Sequence, residues 1–358
     1  MALLKSGLKT IYSTLLRAQE SIKNPPKSLK DIFTESPRLI ITPSNQCDKS
    51  CLHCVASSSP QGEIMPYSSF SKISPDFFKI FKVADFGRRG NPLLYSSEGK
   101  DLVDMLDFLK LQGINYFTLA LALQPDYNRE ISRLEDFSKS AEIETMITYH
   151  HYFEPLNPLK LAEDFNLTLK NYSRFSRKIL ISLLGDRFSQ ENPTKAEEVQ
   201  KTFQDNWEII FKDFCLTKQE KTYEANYKGK EIQIKIPSVD TRVYPLGRFR
   251  SYLEKKGILK EYEEKFSASM SDYACPDLIK WPGIIIEPDG SLNLCASFEA
   301  ICCRNAISSN IFSSSYQEVE KELMSLHQRE FDWFVKNIKG IISGNVSMCR
   351  IENNLYRS

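Results

Sequence analysis

The sequence predicts an α/β fold with a largely parallel sheet, arranged as an open or partial β/α barrel. Short apolar runs alternate with longer amphipathic ones from residue 39 to residue 184, the habit of β/α units. Five strand-like runs separated by helical periodicity fall in that stretch. The chain has 358 residues and 41% hydrophobic content, enough for a substantial core and for two domains, or one large domain with an appendage.

Leu39-Ile40-Ile41 is a short apolar run that reads as a buried first strand. Phe77 to Phe81 reads as part of a helix and Val83-Ala84-Asp85-Phe86 as the second strand. Leu102 to Leu111 carries apolar residues at 102, 103, 105, 106, 108, 109 and 111, a helix with a broad buried face that Gly113 terminates. Tyr116 to Leu123 is then a strand, a helix surrounds Ile131 to Phe137, and Ile143 to Tyr149 is the fourth strand. Leu159 to Tyr172 is the next helix and Lys178 to Leu184 the fifth strand. Active-site residues of β/α architectures gather at the carboxyl ends of the strands. Those ends fall here on Cys47, Gly87 to Pro92, Gln124, His150 and Gly185.

Thr194 to about Phe214 is charged with helical periodicity. Tyr223 to Tyr227 and Ile232 to Ile236 alternate with period two around Lys228-Gly229-Lys230, a hairpin. A second hairpin runs from Ile284 to Leu294 and turns at Pro288-Asp289-Gly290. A last helix spans Tyr316 to Ile338, before Gly340. At the N terminus, Leu4, Leu8, Ile11 and Leu15 recur at helical spacing beside Lys5, Lys9 and Arg17; an amphipathic helix packed on the body is expected there, rather than an arginine-rich transit peptide.

Forty-seven basic and 46 acidic residues leave a formal charge of +1, which gives no general electrostatic reason to expect nucleic acid or an anionic membrane as partner. No apolar stretch approaches the roughly 20 residues that span a bilayer. Nine cysteines without a secretory signal argue for a reducing, cytoplasmic location, where clustered thiols indicate metal more often than disulfides.

Cys47, Cys51 and Cys54 sit four and then three positions apart, just after the first strand. Three thiolates on one tight loop can ligate three irons of a 4Fe-4S cube and leave the fourth iron open. The same spacing also suits a structural zinc site, which needs a fourth ligand such as His53 or a distant residue. Cys275 is followed after 14 residues by Gly290 and, after four more, by Cys295, with Cys302, Cys303 and Cys349 beyond.

The stretch from Ile41 to Cys54, with a ring residue, His53, before the last cysteine, resembles the cluster loop of the radical S-adenosylmethionine (radical SAM) enzymes. Gly90, Asn91 and Pro92 look like the last three positions of that family's Gly-Gly-Glu-Pro turn, which holds the amino group of SAM. Asn91 replaces the acidic residue; its carbonyl still accepts a hydrogen bond, without charge assistance. Ile181 to Asp186 is similar to the family's fifth-strand segment, which implies a contact of Ser182 with the nucleoside. The Cys275, Gly290 and Cys295 spacing resembles the first half of the SPASM and twitch extensions, which carry auxiliary iron-sulfur clusters.

The resemblance implies a partial (β/α)6 radical SAM barrel over residues 38–250, after an N-terminal helical segment at 1–37. A small C-terminal domain over 251–358, a β-hairpin plus helix, would then carry one auxiliary cluster. Its ligands would be Cys275, Cys295, Cys349 and one of Cys302 or Cys303. The implied reaction is reductive cleavage of SAM to a 5'-deoxyadenosyl radical that abstracts hydrogen from a peptide or small metabolite, an oxidative modification supplied with electrons by a flavodoxin or ferredoxin. His150 and His151, after the fourth strand, are candidates for a general base or for packed aromatic tips, and Arg88, Arg89 and Tyr95 are similarly placed. Val243 to Arg248 looks like the segment joining barrel to extension, with Arg248 facing a cavity carboxylate or forming a surface turn. The competing reading is a non-catalytic zinc-binding or iron-sulfur electron-transfer protein.

Overall fold

The computed structural model describes residues 23–49, 51, 54, 57–87, 89–123, 128–149, 157–185, 196–219, 222–235, 247–270, 281–293 and 307–342. Its strands are β1 (Phe33–Ile41), β2 (Val83–Phe86), β3 (Ser96–Ser97), β4 (Lys100–Asp101), β5 (Tyr116–Leu121), β6 (Glu142–Tyr149), β7 (Lys178–Leu183), β8 (Cys215–Gln219), β9 (Thr222–Tyr227), β10 (Lys230–Lys235), β11 (Trp281–Ile286) and β12 (Leu292–Asn293). The longer helices are α1 (Leu102–Leu111), α2 (Asn128–Phe137), α3 (Pro158–Tyr172), α4 (Ala196–Asp205), α5 (Gly247–Lys255), α6 (Leu259–Met270) and α7 (Tyr316–Ile342).

Ten strands form one sheet in the order β12-β11-β1-β2-β5-β6-β7-β10-β9-β8, while β3 and β4 pair as a separate small hairpin. The run β11-β1-β2-β5-β6-β7-β10 is parallel throughout, and only the outer strands β12, β9 and β8 pair antiparallel. The five expected strands are all present, each within a few residues of its expected bounds, and they lie side by side in chain order. Both expected hairpins form as well.

Neither hairpin stands apart from this sheet. β10 lies beside β7 as a further parallel strand, and β11 pairs with β1 through Leu39 opposite Ile284 and Ile41 opposite Ile286. β11 and β12, which follow residue 250, thus belong to the same sheet as β1. β1 also begins before residue 37, at Phe33. Pro37, which has no N–H to donate, sits in the register irregularity between Phe33 and Arg38.

Strict alternation on the central strands gives the sheet two unlike faces. Phe117 and Leu119 of β5, Ile143 and Ile147 of β6, and Ile179 and Ile181 of β7 are buried in the main core under the helices. α1 contributes Leu102, Met105, Leu106 and Leu109 to that core, and its start is fixed by Asp101, whose carboxylate accepts from the amides of Val103 and Asp104. α3 starts similarly, with Asn157 capping Leu159 and Lys160.

On the opposite face, Ile40 and its register partner Ile285 form a small apolar pair separate from the main core. At the amino ends of the strands this face is charged: Arg38 makes a bidentate bond to Asp85, both contacts 2.6 Å, and reaches Thr118 at 2.8 Å, while Lys178 pairs with Glu144 at 2.9 Å. Toward the carboxyl ends, Thr148 and Ser182 stand opposite one another in register and are half-buried.

Three local differences from the sequence reading have physical causes. The helix expected around Phe77 to Phe81 is a single turn, Pro75–Phe78, started by Ser74 and held by ring contacts such as Phe77 on Phe81 at 5.4 Å. The charged stretch before Phe214 is broken at Asn206 into α4 and a single turn, Trp207–Ile210, and Cys215–Gln219 then adds an edge strand that no apolar run announces. The last helix continues past Gly340 to Ile342, since one glycine costs only about 1 kcal/mol in a long helix.

Candidate functional site

The loop that follows β1 is held by backbone bonds on several sides. The amide of Thr42 donates to Ile286 of β11 at 2.9 Å, that of Asn45 to Glu63 at 2.8 Å, and that of Cys47 to Ser59 at 3.0 Å. Gly62 packs against Asn45, where a Cβ would lie 2.2 Å from the carbonyl oxygen. Within the loop, Cys54 donates from its amide to the Cys51 carbonyl at 3.1 Å, and the Lys49 amide points at the Cys47 sulfur at 3.4 Å.

Cys47, Cys51 and Cys54 are free and half-buried. Burial pushes the Cys51 thiol up to about 12, and neighbouring Cys47 and Cys54 push it further in the same direction, because ionised sulfurs that close would repel. Burial also raises Cys47, against the opposing pull of the Lys49 amide and Arg248. Among the described residues, no three His, Cys, Asp or Glu side chains close on a point that would hold a single metal ion. His53 lies outside the described residues.

The turn after β2 rests on the loop. The Asn91 amide donates to the Gln46 carbonyl at 2.7 Å, and the Gly90 amide donates to the hydroxyl of buried Ser58 at 3.0 Å. Asn91 is fully buried; its Oδ1 caps the short helical turn Pro92–Leu94 by accepting from the Leu93 amide at 3.3 Å. The carbonyl expected to receive an ammonium thus accepts one bond inside the turn and has a second lone pair, and Nδ2 has no partner among the described residues.

Several buried polar atoms around this turn have no hydrogen-bond partner among the described residues: Thr42 Oγ1, Ser44 Oγ, Asn45 Oδ1, Asn91 Nδ2 and Asn293 Oδ1. Such atoms are few in folded proteins. They gather after the carboxyl ends of β1 and β2 and on β12.

Arg89, an expected cavity side chain, is buried against Glu287 at 3.1 Å, with the two side chains 5% and 4% exposed. Glu287 also accepts from Asn293 Nδ2 at 2.9 Å. Tyr95 is buried and donates to the Met65 carbonyl at 3.0 Å; burial drives its pKa up, so it serves as a fixed packing group. Arg248 meets three carbonyls of the cysteine loop, through its amide to Cys54 at 3.2 Å and its guanidinium to Lys49 at 3.3 Å and to Ser58. Neither expectation for Arg248, a cavity carboxylate or a surface turn, describes this contact.

Sequence spacing brought Cys47, Cys51, Cys54, Gly90, Asn91 and Pro92 to attention, and the fold places them together. Ser182 lies on the open face of β7, several strands away in the sheet order. Gln124, His150, His151, Arg88, Cys275, Cys295, Cys302, Cys303 and Cys349 lie outside the described residues. The contributions of Ser58, Glu287 and Asn293 were missed. Only the Pro288-Asp289-Gly290 turn hinted at one of them, by placing Glu287 at a hairpin end.

No family model matches the sequence, and no curated protein matches it. Its structural neighbours include Streptococcus suis SuiB bound to S-adenosylmethionine, with 15% identity over 86% of this chain and 70% of that one at a TM-score of 0.41. SuiB bound to the precursor peptide SuiA gives 16% identity over 86% and 69% at 0.42. BtrN in complex with AdoMet and 2-DOIA gives 13% identity over 89% and 93% at 0.34.

Proposed function

We propose that the protein is a radical SAM enzyme in which Cys47, Cys51 and Cys54 hold a 4Fe-4S cluster with one iron free of protein ligands. One observation carries this reading: three half-buried thiols share a loop directly after the first strand of a parallel sheet, and the Gly90 to Pro92 turn of the next strand is bonded to that loop. Three thiols on one loop are a donor set that fits a sulfur-ligated cluster. The unpartnered Thr42, Ser44, Asn45 and Asn91 atoms beside it supply polar groups that a bound cofactor would otherwise leave without purpose.

When bound, the cluster supplies the electron that cleaves SAM to methionine and the 5'-deoxyadenosyl radical. The protein's part is to bury the thiols, fix the loop against the second-strand turn and exclude water from the edge where the strands end. A peptide or small metabolite would lie over the open face, where Thr148 and Ser182 present hydroxyls, with Ser182 toward the nucleoside. His150 or His151 would serve as the base of an oxidative modification.

Cys275, Cys295, Cys349 and one of Cys302 or Cys303 would carry an auxiliary cluster in the segment 251–358, exchanging electrons with the substrate radical. A flavodoxin or ferredoxin would supply the first electron, in a cytoplasmic setting. No helix among the described residues is long and apolar enough to cross a membrane.

The test is anaerobic reconstitution with iron and sulfide, followed by measurement of bound iron and of 5'-deoxyadenosine formed from SAM, with Cys51→Ala as control. Product from the parent protein and none from the variant is expected. Zinc retained in place of iron removes the radical mechanism in favour of a zinc-binding protein, and a cluster that never cleaves SAM favours electron transfer.

A further inference from the structure

Arg248 reaches the cysteine loop from 199 and 190 positions away in the sequence. It is the second residue of α5, so its backbone amide is one of those a helix start leaves without an intrahelical partner. That amide is satisfied by the Cys54 carbonyl at 3.2 Å. The guanidinium extends from the same residue and donates through Nη1 to Lys49 and through Nη2 to Ser58. The two carbonyls bracket Cys51 and Cys54, and the third lies between them.

A planar fork of donors spans two separate oxygens in a way that a single ammonium does not. Among the described residues the guanidinium donates to these carbonyls, which places its positive charge beside the loop. The same Ser58 accepts the Gly90 amide through its hydroxyl, which links the fork to the second-strand turn. α5 is itself anchored by Phe249 and Leu253, packed with Tyr262 of α6, so the fork projects from a fixed base.

We propose that Arg248 is a positioning residue that ties the cysteine loop together at Lys49, Cys54 and Ser58 and sets one fixed positive charge beside the cluster. This rests on the proposed function for its second half only. Closure of the loop stands on the hydrogen bonds alone. The charge has a direction: a nearby cation favours the form carrying the added electron and raises the reduction potential.

The test compares Arg248→Met and Arg248→Lys with the parent. In metal-free protein, amide hydrogen exchange over residues 44–60 is expected to quicken about tenfold in both variants, with the sheet unchanged, because charge-assisted bonds are lost and lysine cannot bridge both carbonyls. After reconstitution, iron content is expected to fall in both. The midpoint potential, followed by electron paramagnetic resonance, is expected to move negative in Arg248→Met and to stay near the parent value in Arg248→Lys. Unchanged loop exchange in Arg248→Lys overturns the clamp, and this variant decides the matter should Arg248→Met fail to fold. An unchanged potential in Arg248→Met overturns the role of the charge. A parent protein that takes up no iron overturns the proposed function, while the exchange result still judges the clamp.

Discussion

The backbone amide of Asn91 donates to the carbonyl of Gln46, the residue directly before Cys47, over 2.7 Å. Through this bond the turn that ends the second strand and the loop that ends the first become one unit. A change in either is felt by the other.

Gly90 packs closely within that unit. Its φ is +67°, and a Cβ there would lie 2.4 Å from the Ser44 carbonyl oxygen and 2.6 Å from that of Gln46. Backbone cannot swing aside as a flexible side chain can. Gly90→Ala is expected to destabilise the metal-free protein by about 1–3 kcal/mol and to reduce iron uptake on reconstitution. Urea unfolding and iron analysis check this, and a variant equal to the parent in both would show that the turn has room to relax.

The Arg89–Glu287 pair is buried on both sides and joins the second-strand turn to the hairpin of β11 and β12. Removing one partner leaves the other charge buried. Arg89→Met is therefore expected to cost about 3–5 kcal/mol, and Arg89→Met with Glu287→Gln to recover part of the loss. A double-mutant cycle in urea measures the coupling; strictly additive losses would mean that the two charges do not depend on each other.

Cys51 gives the metal-free protein a pH signature. The thiol loses its proton near 9.0 in an ordinary setting and keeps it to about 12 in the fold. Between those values the unfolded chain binds fewer protons than the native one, so stability falls as pH rises through that window and is untouched below it. Urea midpoints taken from pH 8 upward should decline more steeply for the parent than for Cys51→Ala. Equal slopes would place the thiol in water.

The strands were legible because each buries one face, and burial writes a two-residue period or an apolar run into the chain. Leu39 to Ile41, Val83 to Phe86 and Lys178 to Leu183 show this directly. Cys47, Cys51 and Cys54 were legible as a group because side chains on one loop are close in sequence, and Gly90 because a turn at a strand end needs a positive φ. For Tyr95 and Arg89 the sequence left the role open, since a side chain named only by its nearness to a strand end can turn inward to the Met65 carbonyl or to Glu287.

The sequence by itself determined the parallel α/β fold, its five central strands and the cysteines that share one loop, because those follow from local spacing and periodicity. Tertiary structure alone decided that β10 and β11 extend the same sheet, that Glu287 meets Arg89, and that Arg248 grips the loop from 190 residues away. Contacts between distant segments are fixed by register and packing across the sheet, and neither leaves a periodic mark along the chain.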